Sequence, residues 1–320
     1  MLALVPLPFG SARTEWQWFW IVYCSLCAVL GVFLFRKQNS NALPQGLLAC
    51  LISYAVFVLW CFLQAINWPQ SGAISVNPEQ SIKVASLFMA HGLFFWTCYT
   101  FVRQRPEQAT KLLNAFVLIA SLYCFYGFLS FALDGKHVLW YEKTAYKTSL
   151  TATFVNANNF ATYSGMGLVA ATGLILTWGR KYLSGDIDPA QRKKKLIHAL
   201  IHGGWVYAVG IILCATALIL TGSRAGITAA VIGALTTLSL WTIAQHQSGT
   251  GLMKWIFVFA SVLVGLLWFS GGTLNERLEK PVLEDPRFAT YPPLVEAIKQ
   301  KPLTGHGAGT FEQVFRTVRT

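Results

Sequence analysis

The chain is poor in charge and poorest in acid. Charged residues make up 12% of its 320 residues, with 13 Asp and Glu against 25 Lys and Arg, whereas 54% are hydrophobic. A soluble domain carries about 25% charged residues. This composition excludes an ordinary soluble protein and indicates an integral membrane protein.

Acidic residues are absent from every long apolar run; all lie in the connections or in the tail. Proton-coupled transporters place carboxylates near mid-membrane, and metal-dependent transferases gather acidic ligands at the reaction centre. The absence of acidic residues from the apolar runs argues against a proton-coupled transporter and against a metal-dependent transferase. It does not argue against a uniporter. We expect no metal and no cofactor.

The sequence also lacks a disulfide framework. All seven cysteines lie within the apolar runs. Cys24 and Cys27 have CxxC spacing, but on an apolar helix this indicates packing rather than redox or metal chemistry.

The apolar runs are long enough to cross a bilayer core of roughly 30 Å. They predict an all-α, polytopic transmembrane helix bundle over residues 1–270, followed by a large extracytoplasmic loop with short helices over residues 271–320. The eight predicted spans are about 17–35, 46–66, 81–102, 112–133, 158–178, 205–221, 225–244 and 254–270.

Lys and Arg set the predicted orientation, since short cytoplasmic loops retain positive charge. The basic connection 180–195, RKYLSGDIDPAQRKKK, is therefore assigned to the cytoplasm, which places the tail 271–320 and Arg224 outside. The net charge of +12 reflects this topology and attraction to anionic membrane lipid. Nothing indicates nucleic acid as a partner.

Arg224 stands between two apolar runs in ALILTGSRAGITAAV, residues 217–231. Gly222 permits a tight turn there, and Ser223 is suited to cap the following helix. A cation at a helix N-terminus opposes the helix dipole, whereas a bound phosphate satisfies the free N–H groups and the guanidinium together. The alternative is an arginine that snorkels to the lipid headgroups.

The tail contains two further candidate residues. Arg287 precedes a predicted amphipathic helix over 293–300; its alternative role is a solvated partner of Glu284 or Asp285. His306 lies in GHGAGTF, residues 305–311, which is not a GxGxxG nucleotide motif. We interpret this segment as a flexible turn that carries His306 to the membrane surface.

Three motifs together resemble the O-antigen ligase and O-antigen polymerase superfamily. They are LTGSRAG at residues 220–226, TFVNANNFATYSGMGL at 153–168 and DPRFATYPPLVEAIKQKPLTGHGAGTF at 285–311. Their order matches that family over residues 150–315.

The resemblance implies a GT-C type membrane glycosyltransferase of the bacterial inner membrane, multi-pass, with a periplasmic active face. In that family a polyprenyl-diphosphate-linked glycan is the donor, and lipid A core, protein or another glycan is the acceptor. Two arginines hold the diphosphate, which Arg224 and Arg287 match, and a loop histidine acts as base. The implied transfer inverts the anomeric centre without metal.

Asn156, Asn158 and Asn159 lie at the predicted outer mouth of the fifth span. Their amides could bind sugar hydroxyls of the glycan. Helix capping and interface polarity explain them equally well.

Two departures from the family pattern leave alternatives open. First, the family's histidine lies further along the loop in a His-Asn motif, so His306 is a candidate base that does not match the family's histidine by position. Second, we expect the family's last helices to be missing. The activities implied are an O-antigen ligase in lipopolysaccharide or surface polysaccharide assembly, an O-antigen polymerase or a protein O-oligosaccharyltransferase. An anion or bicarbonate transporter and an inactive fragment are the alternatives of other classes.

Overall fold

A computed structural model describes most of the chain. The described residues are 3–7, 9–35, 43–69, 72–133, 135–183, 194–195, 197–244 and 290–318. Their long and short α-helices are α1 (Thr14–Phe35), α2 (Gln45–Leu63), α3 (Pro78–Gln104), α4 (Glu107–Leu133), α5 (Ala157–Leu183), α6 (Trp205–Leu220), α7 (Arg224–Ala244), α8 (Tyr291–Gln300) and α9 (Phe311–Val318).

Two antiparallel hairpins interrupt the helices. Strands β1 (Asn67–Trp68) and β2 (Gly72–Ala73) pair between α2 and α3, and strands β3 (His137–Val138) and β4 (Tyr141–Glu142) pair between α4 and α5. A 3-10 turn, Phe9–Ser11, precedes α1.

The predicted all-α membrane bundle is confirmed. Six segments of the described chain are long and apolar enough to cross a membrane: 45–63, 78–104, 107–133, 157–181, 197–220 and 224–244. Helix α1 contains the predicted first span, 17–35, and its 22 residues extend about 33 Å at 1.5 Å per residue, but it is not one of these six segments. The predicted eighth span, 254–270, lies outside the described residues.

The α-helix of the predicted sixth span begins at Trp205, as predicted, but an irregular turn extends the membrane-length segment before it. The membrane-length segment begins at Ile197 and includes an irregular π-helical turn, Leu200–Gly204, in which Gly203 has φ 122°. The indole Nε1 of Trp178 donates to the Ala199 carbonyl at 3.0 Å. This hydrogen bond from α5 holds the start of the irregular turn, whose sequence LIHGG is typical of a loop.

The chain forms two compact units. The first contains Met1–Thr14 and Pro106–Thr273, and the second contains Glu15–Arg105 and Leu274–Thr320. In the first unit α5 is central, because it packs against α4, α6 and α7. In the second unit α2 packs against α3, and α8 packs against α9.

Small residues let α5 and α7 approach closely. A methyl group at Gly226 would lie 2.6 Å from Cβ of Ala161, and one at Gly165 would lie 3.0 Å from Cβ of Ala230. Residue numbers therefore rise together along the two helices, so α5 and α7 run parallel and in register. We call this contact the glycine seam, after Gly165 and Gly226.

A second close contact joins α4, α5 and α6. A methyl group at Gly167 would lie 2.9 Å from both Cβ of Ala120 and Sγ of Cys214. Cys124 and Cys214 are fully buried here, with their sulfur atoms 3.9 Å apart. All seven cysteines are free and lie in helices.

The glycine seam generates a stability prediction. Gly226→Ala forces α7 away from Ala161, and overpacking of this kind costs about 1–3 kcal/mol. The exchange variant Ala161→Gly/Gly226→Ala restores the total volume and recovers most of the loss, since contacting residues couple strongly. The measurement is the thermal midpoint of the detergent-solubilised protein.

Gly179→Ala is the matched control, because a methyl group at this α5 glycine meets no atom within 4 Å. Its midpoint should equal or exceed that of the parent. Equal midpoints for Gly226→Ala and Gly179→Ala would contradict the close approach of α5 and α7.

Candidate functional site

The turn between α6 and α7 is built by three consecutive residues. Gly222 has φ 68°, a conformation that glycine adopts without steric cost. Thr221 donates from its hydroxyl to the Leu218 carbonyl at 2.7 Å and accepts from the Ser223 amide at 3.2 Å. Thr221 and Ser223 are buried, so the turn is held from inside.

Ser223 caps α7, as the sequence predicts. Its hydroxyl oxygen accepts from the Gly226 amide at 3.2 Å, which satisfies one of the N–H groups that a helix start leaves without an intrahelical partner. Arg224 is the first residue of α7 and its side chain is exposed. The positive end of the helix and an exposed guanidinium therefore coincide, an arrangement that favours an anion.

The register of the glycine seam brings the predicted asparagines to the level of Arg224. Asn159 lies two residues before Ala161, and Arg224 lies two residues before its seam partner Gly226. We call the first turns of α5 and α7 the paired N-termini. Because the helices are parallel, both positive helix ends face the same side of the first unit.

The three asparagines are not equivalent. The Oδ1 atom of Asn156 accepts from the Asn158 amide at 2.8 Å, so Asn156 is the N-cap of α5 and its side-chain oxygen is already engaged. Asn158 and Asn159 are exposed on the first turn. The capping interpretation thus applies to Asn156, and the other two side chains are accessible to a ligand.

The segment that precedes α5 is hydrogen-bonded to the end of α6, beside the turn between α6 and α7. The Leu150 amide donates to the Leu220 carbonyl at 3.1 Å, and Leu150 is fully buried. Thr153 donates from its hydroxyl to the Pro6 carbonyl at 2.7 Å. These bonds hold the segment next to the paired N-termini in place.

The tail segment GHGAG, residues 305–309, forms what we call the glycine turn. Its three glycines have φ of 70°, 108° and 77°, values that side chains with a Cβ rarely adopt. A methyl group at Gly307 would lie 2.2 Å from Oγ of Ser75. The glycines are therefore required by backbone conformation and by contact with the segment between α2 and α3.

The expectation of a flexible turn is wrong, because four hydrogen bonds hold the glycine turn and its flanks. Gln64 uses both ends of its side-chain amide: Nε2 donates to the Thr304 carbonyl at 2.8 Å, and Oε1 accepts from the Ala308 amide at 3.0 Å. The Ser81 hydroxyl donates to the Ala308 carbonyl at 2.9 Å, and the Val76 amide donates to the His306 carbonyl at 2.9 Å.

The His306 ring is half-buried and oriented by its own bond. Its Nε2 lies 2.8 Å from the Ala297 carbonyl oxygen. A carbonyl oxygen only accepts, so Nε2 carries the proton and Nδ1 holds the lone pair in the neutral ring. An imidazole fixed in this way can accept a proton at Nδ1.

The predicted site residues thus fall into separate groups. Arg224 and the three asparagines lie at the N-terminal ends of α7 and α5, on the same side of the first unit, whereas His306 belongs to the second unit. Arg287 lies outside the described residues. Within the described part of the chain, no three His, Cys, Asp or Glu side chains gather as metal ligands would.

Sequence reasoning missed Gln64, which is buried and clamps the glycine turn from the end of α2. It precedes Thr304 by 240 positions, and no local motif marks it. The alternating glycines of the turn are the local feature that its contact with Ser75 explains.

Comparison with known proteins gives one family. Residues 209–319 match the family model described as O-antigen ligase. No curated protein and no solved structure matches the chain significantly. The match confirms the resemblance predicted from the motifs: residues 209–319 of this multi-pass helical membrane protein are similar to the O-antigen ligase family.

Proposed function

We propose that the protein is an O-antigen ligase-like glycosyltransferase of the bacterial inner membrane. It transfers a glycan from a polyprenyl diphosphate to an acceptor hydroxyl at the periplasmic face. The observation that carries this proposal is the exposed Arg224 at the paired N-termini. The family match, which includes residue 224, supports the reaction class.

The leaving group explains why positive charge is useful at this place. When the bond between the anomeric carbon and the diphosphate oxygen breaks, negative charge grows on the departing diphosphate. Fixed donors aimed at developing charge stabilise a transition state without reorganisation. Arg224 offers a planar fork of donors suited to phosphate oxygens, and the first-turn amides of α7 add N–H groups. Arg287 is proposed as the second guanidinium.

The acceptor hydroxyl must lose one proton as its oxygen bonds to the anomeric carbon. We assign this proton to Nδ1 of His306, whose Nε2–H···O bond to Ala297 orients the ring as a third group orients the base in catalytic triads. The acceptor oxygen attacks opposite the departing diphosphate, so the anomeric configuration inverts. The exposed Asn158 and Asn159 are proposed to bind the glycan, with lipid A core, protein or another glycan as acceptor.

Arg224→Gln tests the diphosphate contact. Loss of a donor to developing charge typically costs about 10²–10³ in rate, so transfer from a polyprenyl-diphosphate glycan in proteoliposomes should fall by that factor. Arg224→Lys keeps the charge but not the planar fork and should give an intermediate rate.

Arg316→Gln is the matched control, since Arg316 is an exposed tail arginine paired with exposed Glu312. It should transfer glycan at the parental rate. Parental transfer by Arg224→Gln would refute the proposal. In cells, accumulated single repeat units would identify the lost activity as polymerisation, and accumulated long chains would identify it as ligation.

The variant His306→Gln distinguishes two roles of His306: a base that accepts a proton, and a residue that only holds the turn in place. The glutamine amide can still donate to the Ala297 carbonyl, but it cannot take a proton. If Nδ1 is the base, both His306→Gln and His306→Ala lose about 10²–10⁴ in turnover while inserting normally. Near-parental turnover for His306→Gln, with loss only in His306→Ala, would reduce the histidine to a clamp.

A further inference from the structure

Helix α8 exposes an apolar stripe. Tyr291, Val295 and Ile298 are 56%, 49% and 62% exposed, and at about 100° per residue they fall within one narrow arc of the helix. Leu303, just beyond the helix, is 94% exposed. We call these four residues the tail stripe.

The opposite faces of α8 are polar or already packed. Ala297 is buried, and its carbonyl accepts from His306. Glu296 and Gln300 are exposed on the side away from the tail stripe. The helix is therefore amphipathic, and its apolar stripe is not covered by its packing within the described part of the protein.

The tail stripe is fixed beside the ends of two membrane-length helices. Thr304 is bonded by Gln64, which directly follows α2. Ala308 is bonded by Ser81 in the first turn of α3. Between these contacts, Nζ of Lys301 donates to the Ile74 carbonyl at 3.1 Å. Helix α2 ends and α3 begins at these contacts, so residues 301–308, which directly follow α8, are held beside the ends of two helices long enough to cross a bilayer core.

We propose that the tail stripe inserts into the membrane leaflet at this end of α2 and α3. Interfacial helices bury an apolar face at the boundary between headgroups and acyl chains, with aromatic residues at that level and basic residues toward the headgroups. Tyr291 supplies the aromatic ring, and the exposed Lys299 supplies a cation for anionic lipid. The inference is independent of the proposed transfer reaction, because it concerns only where the tail lies.

The position of a nitroxide side chain tests this docking directly. A ketone-bearing amino acid installed by amber suppression at Ile298 or Leu303 carries the label and leaves the seven native cysteines unchanged. Matched labels at Glu296 and Gln300 report the polar side. Power saturation in proteoliposomes of phosphatidylethanolamine and phosphatidylglycerol compares collisions with oxygen, which enriches in lipid, and with a water-soluble nickel chelate.

At residues 298 and 303 the ratio of oxygen to nickel collisions should exceed that at 296 and 300 several-fold. A second variant, Ile298→Glu/Leu303→Glu with the label at Val295, should lose the oxygen preference. Frequent nickel collisions at 298 and 303 would show a solvent-exposed tail and overturn the proposal. Low collision rates with both reagents would also overturn it, because another part of a protein would then cover the stripe.

Discussion

The close parallel contact of α5 and α7 is the constraint on which the candidate site depends. Because Gly226 and Gly165 present no side chain, the two helix backbones approach until Ala161 and Ala230 fill the gap. A parallel pair in register has both N-termini at one level. Arg224 therefore lies next to two positive helix ends instead of one, which makes an uncompensated cation there costly and a bound anion favourable.

Glycine residues without a side chain also permit the close contacts in the second unit. The three glycines of the glycine turn adopt left-handed backbone conformations, and one of them contacts Ser75 too closely for any Cβ. Gln64 then pairs with the exposed backbone groups on either side of His306. A glycine-rich segment that looks flexible in the sequence is held in place, because its backbone N–H and C=O groups bond to Gln64, Val76 and Ser81, at the end of α2 and the start of α3.

The sequence predicted the features that depend on neighbouring residues. Apolar runs located the spans, and the order Thr-Gly-Ser-Arg predicted the turn and the Ser223 cap of α7, since capping is decided within four residues. The amphipathic helix predicted at 293–300 is confirmed as α8. Features decided by distant partners were missed or misjudged: the irregular turn before the sixth span is bonded by Trp178, and the order of the glycine turn depends on Gln64.

The central claim is that Arg224 at the paired N-termini binds a lipid-borne diphosphate, and binding itself tests it most directly. Purified protein in nanodiscs is titrated with a polyprenyl diphosphate and with the matching monophosphate, for the parent, Arg224→Gln and the control Arg316→Gln. The account predicts that Arg224→Gln weakens diphosphate binding at least about tenfold, near 1.4 kcal/mol, and changes monophosphate binding less. Equal diphosphate affinities for the parent and Arg224→Gln would contradict it.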